Sequence, residues 1–253
     1  MAHAAVGTPA RRLAGHNVLI TGAGAGIGRA LAHACAAAGA QLILLSRTLG
    51  RLDAVHDEIV AAGHQAPILL PGDLNTLDDD AAEQIGHALH EQLGALHGLV
   101  HNAAILGPRL PLAYYPATDW QTVLQINLTA AFLLTRALLP VLQAAESARI
   151  LFTSASHGVE GRAYWGAYAV SKFGVEGLAQ VLRDELQNTS SIGVHVIDPG
   201  PRRTGLRATA FGAEDPVGLA LPEDHLELYL QLLSAPGSRD LPGRALAQDW
   251  PPQ

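Results

Sequence analysis

Short, nearly unbroken apolar runs alternate with longer periodic stretches along most of the chain, and glycine or proline punctuates the joins. The runs Asn17–Ile20, Gln41–Leu45, Pro67–Leu70, Gly98–His101, Arg149–Thr153 and Gly193–Ile197 have the length and composition of buried strands. Helices are predicted between them over Arg29–Ala38, Leu49–Ala62, the acidic run Asp78–Asp80 to Gly94, Trp120–Leu142 and Tyr168–Gln187. Such alternation predicts an α/β fold, a doubly wound parallel sheet with helices on both faces. After Thr204 the pattern weakens to short helical potential over 205–222, a helix over Leu226–Leu233 and a last strand near Ala245–Ala247. No linker, repeat or composition break divides the chain. The expected organisation is a flexible lead-in over 1–14 and one domain over 15–253, with a substrate flap near 205–235.

The stretch Trp120–Leu142 is apolar on nearly every side, so it must bury more than one face. A contact with a second subunit would account for that, as a homodimer or a homotetramer. Asn127 is a polar interruption in this stretch.

Composition narrows the classes. With 15% charged and 49% apolar residues, the 253-residue chain is globular. A net charge of −7 argues against nucleic acid or an anionic membrane as partner. The single Cys35 cannot form an internal disulfide, which fits a reducing cytoplasm. The first residues lack the apolar core of a signal peptide, and no apolar run is long enough for a bilayer. The twelve histidines are scattered without ligand spacing, so no metal is expected.

Chemistry concentrates in a few places. Thr21-Gly-Ala-Gly-Ala-Gly-Ile-Gly28 follows a predicted strand and opens a predicted helix. That context suits a dinucleotide loop: glycines let the backbone turn tightly against a pyrophosphate, which rests on helix N–H groups. The second strand ends in Ser46-Arg47, where a carboxylate would bind the ribose of NAD; the guanidinium instead favours the 2′-phosphate of NADP(H), unless Arg47 only caps a surface loop. Asp73, beside Leu74, either caps a helix or touches an adenine edge. Tyr168 and Lys172 lie four residues apart, on one face of a helix. An ammonium beside a phenol lowers the phenol's pKa and prepares it to exchange a proton with an alcohol or carbonyl. Alone, such a pair is commonplace on protein surfaces.

Together these pieces resemble the short-chain dehydrogenase/reductase family, whose fold is a Rossmann-type sheet. T-G-x-x-x-G-I-G at 21–28, Asn102-Ala103-Ala104, Asn127, Y-x-x-x-K at 168–172 and P-G-x-x-x-T at 199–204 occur in the family's order. The stretch from Phe152 to Gly177 is similar to that of the YciK-type bacterial oxidoreductases. The resemblance implies that Tyr168 is the general acid or base, that Lys172 holds the nicotinamide ribose, and that Asn127 helps to position a water. It implies that Gly22, Gly24, Gly26, Ile27 and Gly28 cradle the phosphates. Asn102 and Ala103 would border the cofactor, and Pro199, Gly200 and Thr204 would lie along its nicotinamide half.

Two positions depart from the family pattern. The family's substrate-polarising serine stands thirteen positions before the tyrosine, and that position is Ala155. Ser154 and Ser156 flank it, but alternation along an extended segment aims them elsewhere. Ala104 replaces the family's glycine. The leading expectation is an NADP(H)-dependent oxidoreductase acting on a small carbonyl/alcohol substrate, with Ser154, Ser156 or water covering for Ala155. The rival is an NADP(H)-binding protein with little or no catalysis. His157, Tyr164 and Trp165 either wall the substrate pocket or simply pack the core. Arg202, Arg203 and Arg207 are expected to be solvated loop residues rather than an anion site.

Overall fold

The computed structural model describes residues 11–224, 226–235 and 242–249, the last without the side chain of residue 248. Seven parallel strands form one sheet in the order β3-β2-β1-β4-β5-β6-β7. They are β1 (Asn17–Thr21), β2 (Gln41–Ser46), β3 (Ile68–Pro71), β4 (Gly98–His101), β5 (Ala148–Thr153), β6 (Ile192–Asp198) and β7 (Arg244–Leu246). The helices are α1 (Gly26–Ala37), α2 (Leu49–Ala61), α3 (Asp79–Leu93), α4 (Ala117–Leu124), α5 (Ala130–Gln143), α6 (Gly166–Leu186), α7 (Gly205–Ala210) and α8 (Glu227–Ser234).

Alternation along each strand builds two cores. Val18, Ile20, Leu42, Leu44 and Val100 pack on one face with Leu31 and Cys35 of α1, Val55 of α2 and Leu232 of α8. Their strand neighbours Leu19, Ile43, Leu45 and Leu99 face the other way, with Leu134 and Leu138 of α5 and Val175 and Leu182 of α6. A strand buried on both faces reads as a continuous apolar run, which is why these strands are visible in the sequence. Strand order reverses between β1 and β4, and the loops leaving their carboxyl ends diverge there. In open α/β sheets that crevice is where ligands bind.

The long apolar helix is not uniform. Residues Gln125–Thr129 form a π-helical turn between α4 and α5, so Ala117–Gln143 is one rod with a widened turn at Asn127. By length and mean hydropathy alone this rod of 27 residues would suffice to cross a membrane, contrary to the expectation from apolar runs. Its inner face belongs instead to the core under the sheet.

The lead-in expected over 1–14 lies outside the described residues up to residue 10. From Arg11 the chain is anchored rather than loose: Leu13 is fully buried and Arg12 pairs with Glu227 of α8. Asp78 caps α3 by accepting from the Ala81 N–H, while Asp79 and Asp80 occupy its first turn, where carboxylates favour the helix dipole. Within the expected flap, where residue 225 lies outside the described residues, α7 and α8 are formed.

Candidate active site

The glycine loop is shaped by contact. Gly22 has φ +67°, and a side chain there would meet the Ala103 backbone at 2.9 Å. Gly28 has no room at all: a Cβ would lie 2.3 Å from the Gly22 carbonyl oxygen and 2.6 Å from Asn102 Nδ2. The first turn of α1 therefore packs directly on the strand-to-loop junction. Asn102 fixes that junction from β4. Its N–H, with that of Ala103, donates to Thr21 Oγ1, and its Nδ2 donates to the Thr21 carbonyl. Ala25 precedes α1 without a side-chain cap, and no acidic residue occupies the first turn. Helix N–H groups left open beside a glycine cradle suit an anion. Ile27 packs at the edge of the core below the loop.

Ser46 ends β2, and Arg47 beyond it is exposed. Gly24 sits against both Ser46 and a residue that the sequence reading missed: a Cβ there would be 2.9 Å from Arg51 Cβ and 3.3 Å from Ser46 Oγ. Arg51 is exposed in the first turn of α2, so two arginines, Arg47 next in sequence and Arg51 across Gly24, stand near the end of β2. The signal was available, since a helix starting at Leu49 places position 51 one turn from the strand end. Asp73 caps neither α3 nor any other helix; its carboxylate accepts from the Asn75 N–H and closes a local turn. Leu74 beside it is buried, and Gln125 holds the Leu74 carbonyl from the π-helical turn.

Asn127 acts as a clamp. Its Oδ1 accepts from the Ile105 N–H at 2.8 Å, and its Nδ2 donates to the Ile105 carbonyl and to Ser171 Oγ. The side chain thus ties the loop after β4 to α6. π-helical turns of this kind recur at functional sites. A cavity of about 10 Å³, about the space of one water, is lined by Thr21, Ala103, Asn127, Thr153 and Lys172 among others. Residues from the glycine loop, the β4 loop, the π-helical turn and α6 meet there.

Tyr168 and Lys172 share the buried face of α6. Lys172 Nζ donates to the Thr153 carbonyl at 2.7 Å and lies 5.7 Å from the centre of the Tyr168 ring. The expected lowering of the tyrosine pKa is absent. Burial, with the Asp198 carboxylate second, pushes the Tyr168 phenol up to about 12. Burial likewise pulls Lys172 down to about 8, against the opposing charges of Asp198 and Glu176. Desolvation outweighs the attraction of the pair because the ammonium turns to a carbonyl rather than to the phenol. At neutral pH the phenol is therefore protonated.

Asp198, buried at the end of β6, was not singled out in the sequence. One of its oxygens accepts from the Gly200 N–H, and the other shares Arg244 of β7 with the buried Glu176. Pro199 and Gly200 follow it, and Thr204 caps α7 by accepting from the Arg207 N–H while its methyl lies against Gly26. The two loops that the resemblance assigns to opposite halves of a dinucleotide are neighbours.

The other side of the crevice is built from side chains. Ala155 faces a cluster of Leu106, Trp165, Tyr168, Ala169 and Ala210, with Leu206 and Phe211 against it. Helix α7 is docked on this cluster: Arg109 donates to the Ala210 carbonyl, and its guanidinium lies over Trp165 and Phe211. Ser154 Oγ is buried against Gly158, where an added Cβ would come within 2.5 Å, and Ser156 is exposed with its hydroxyl near His157. Ser154 Oγ has no hydrogen-bond partner among the described residues, and Ala155 rather than either serine packs on the cluster. Trp165 and His157 are in the aromatic wall; Tyr164 is exposed. Tyr164 is also the one non-glycine residue with positive φ among those described, so Ala104 sits without that strain. Arg202 is buried beneath the loop, whereas Arg203 is exposed and Arg207 pairs with Glu214.

The chain is similar to known proteins over most of its length. The model of the short chain dehydrogenase family matches residues 16–215. The chain is 42% identical over 216 residues to the uncharacterized oxidoreductase YciK of Escherichia coli, covering 85% of each. It is similar to a short chain dehydrogenase structure from Pseudomonas syringae, with TM-score 0.90 and 43% identity over 93% of this chain and 95% of that one. A Shigella flexneri short chain dehydrogenase complexed with NADP superposes with TM-score 0.89 and 41% identity, over 94% and 99% of the two chains.

Proposed function

The chain belongs to the short-chain dehydrogenase/reductase family and is an oxidoreductase, and on that premise we propose that it interconverts a carbonyl and its alcohol with NADP(H), using Tyr168 as the proton-carrying group. The observation that carries the reading is the meeting of Thr21, Ala103, Asn127, Thr153 and Lys172 around one small cavity, with a protonated Tyr168 one helical turn before Lys172. Each motif on its own has a structural explanation. Their convergence has a catalytic one.

NADP(H) fits the residues present. Gly22, Gly24, Gly26, Ile27 and Gly28 would hold the pyrophosphate on the uncapped start of α1. Ser46, Arg47 and Arg51 would take the 2′-phosphate, where two guanidinium groups and no carboxylate stand. Leu74 would meet the adenine. Asn102, Ala103 and Lys172 would hold the nicotinamide ribose, with Pro199, Gly200 and Thr204 along the other side. When bound, NADPH supplies the hydride. Tyr168 Oη delivers the proton to the substrate oxygen during reduction and takes it back during oxidation. Lys172, its charge held in a low-dielectric site, stabilises the phenolate left behind. Asn127 keeps the Ile105 segment and α6 in register around both. Helix α7 lifts from Ala155 and Tyr168 to admit substrate and then excludes water.

The exposed Phe132 of α5 and Phe173 and Val181 of α6 support a homodimer or homotetramer through these helices.

The test is consumption of NADPH by the purified chain across aldehydes, ketones and quinones, alongside binding of NADPH and NADH. The account expects turnover and tighter NADPH binding that Arg47→Ala and Arg51→Ala erode. NADPH binding without consumption would favour the non-catalytic rival, to which Ala155 lends weight. Equal affinity for NADH would remove the argument from Arg47 and Arg51.

A further inference from the structure

Ala155 leaves the substrate side without its hydroxyl, yet a hydrogen-bonding group stands two residues further on. His157 is 9% exposed, and its Nε2 is enclosed without a partner among the described residues. A buried donor without a partner costs about 1–3 kcal/mol, so it calls for an explanation. The ring lies tilted against Trp165 at 3.7 Å between centres and meets Tyr168 edge-on at 6.2 Å, while Trp165 and Tyr168 are 5.7 Å apart. Trp165, Tyr168 and Ala155 all belong to the cluster that α7 covers. The geometry points to His157 as the group that polarises the substrate carbonyl in this chain, through Nε2–H, in the place of the absent serine.

The chemistry is consistent at each atom. Ser156 Oγ lies 3.4 Å from Nδ1, so a hydroxyl donating there puts the ring hydrogen on Nε2. Burial first, then Arg162 and Arg207, hold the imidazole below its ordinary pKa, with Asp198 and Glu160 opposing, so the ring is neutral. A neutral imidazole that donates one hydrogen bond does what a serine hydroxyl does, without competing with Tyr168 for the proton transfer. Ser156, next to Ala155 but with its hydroxyl at His157 Nδ1, acts by orienting the ring.

This inference rests on the proposed oxidoreductase reading, and the test separates the two. Kinetics of NADPH oxidation are compared in the natural chain, His157→Phe, Ala155→Ser and the double variant, with the melting temperature and NADPH affinity of each recorded. Loss of one donor to a developing oxyanion lowers kcat/KM by about 10²–10³-fold, so that is the drop expected in His157→Phe. Ala155→Ser is expected to recover about tenfold or more in the His157→Phe background, and a clearly smaller factor in the natural chain. His157→Met, flexible and similar in size, gives the same pattern if the planar replacement fails to fold. Full activity in either folded variant, or an equal gain from Ala155→Ser in both backgrounds, overturns the role of His157. If the natural chain consumes no NADPH with any carbonyl, the oxidoreductase reading fails first.

Discussion

The two sides of the crevice are made differently. The glycine-loop side is mainly backbone against backbone: Gly22 on Ala103 and Gly28 on the Gly22 carbonyl, with Asn102 pinning Thr21. The side under α7 is side chain against side chain: Trp165 between His157 and Phe211, with Arg109 over Trp165 and Ala155 against the cluster. Backbone surfaces restrict which residues can stand at a few positions, and that restriction leaves a pattern. Side-chain surfaces can be filled in many ways. A phosphate cradle therefore carries a signature, while a substrate pocket carries an individual history.

The largest effect should come from breaking the backbone side. Gly28→Val places atoms where the Gly22 carbonyl already sits, and that neighbour is backbone rather than a side chain that can swing aside. NADPH affinity should fall by about 100-fold or more, or the chain should fail to fold; calorimetric titration with circular dichroism reads both. Retained affinity would mean that α1 can retreat from the loop.

Next in size is the chemistry where the two sides meet. Tyr168→Phe removes the proton but preserves the ring packed against Trp165. The expected loss in kcat is about 10²–10⁴-fold with NADPH binding retained. A loss of binding instead would assign Tyr168 to the cofactor side alone.

The clamp between the sides comes third. Asn127→Ala strands the Ile105 N–H and carbonyl and one partner of Ser171. Destabilisation of about 1–3 kcal/mol is expected, which is several degrees in melting temperature at this size. Because the π-helical turn frames Lys172, kcat should fall with it; stability lost without any kinetic change would make Asn127 purely structural.

The smallest effect is one of pH. Lys172 has a folded pKa of about 8, below its ordinary 10.5. As pH falls through about 8 the folded state must take up a buried charge that the unfolded state already carries freely. Stability from this group is therefore full above about 10.5 and is lost toward 8. Tyr168 and Tyr229, raised to about 12 mainly by burial, act oppositely only above about pH 10. Between these limits Lys172→Met should flatten the rise in denaturation midpoint with pH, and an unchanged slope would show that Nζ is better solvated than its burial implies.

The same contrast explains what the sequence disclosed. The strands were legible because burial on both faces leaves no polar position in Leu42–Leu45 or Leu19–Ile20. The glycine loop, Asn127 and the Tyr168–Lys172 pair were legible because each has a spacing. Asp198 and Arg244 were not, since their pairing joins β6 to β7 across 46 positions with no local pattern. The tyrosine pKa was misjudged for a related reason: helical spacing places Lys172 near Tyr168, but only the fold shows its ammonium turned to Thr153. Arg51 was legible in principle, because the predicted helix start at Leu49 brings it to the end of β2 near Ser46.

The central claim is that the two sides cooperate in one hydride transfer. NADPH deuterated on the transferring face of its nicotinamide, mixed with the natural chain and an accepted carbonyl, tests it directly. The account predicts an alcohol carrying deuterium on its carbinol carbon, formed in step with NADPH loss and nearly abolished in Tyr168→Phe. NADPH that binds the chain but passes no deuterium to any carbonyl would contradict it.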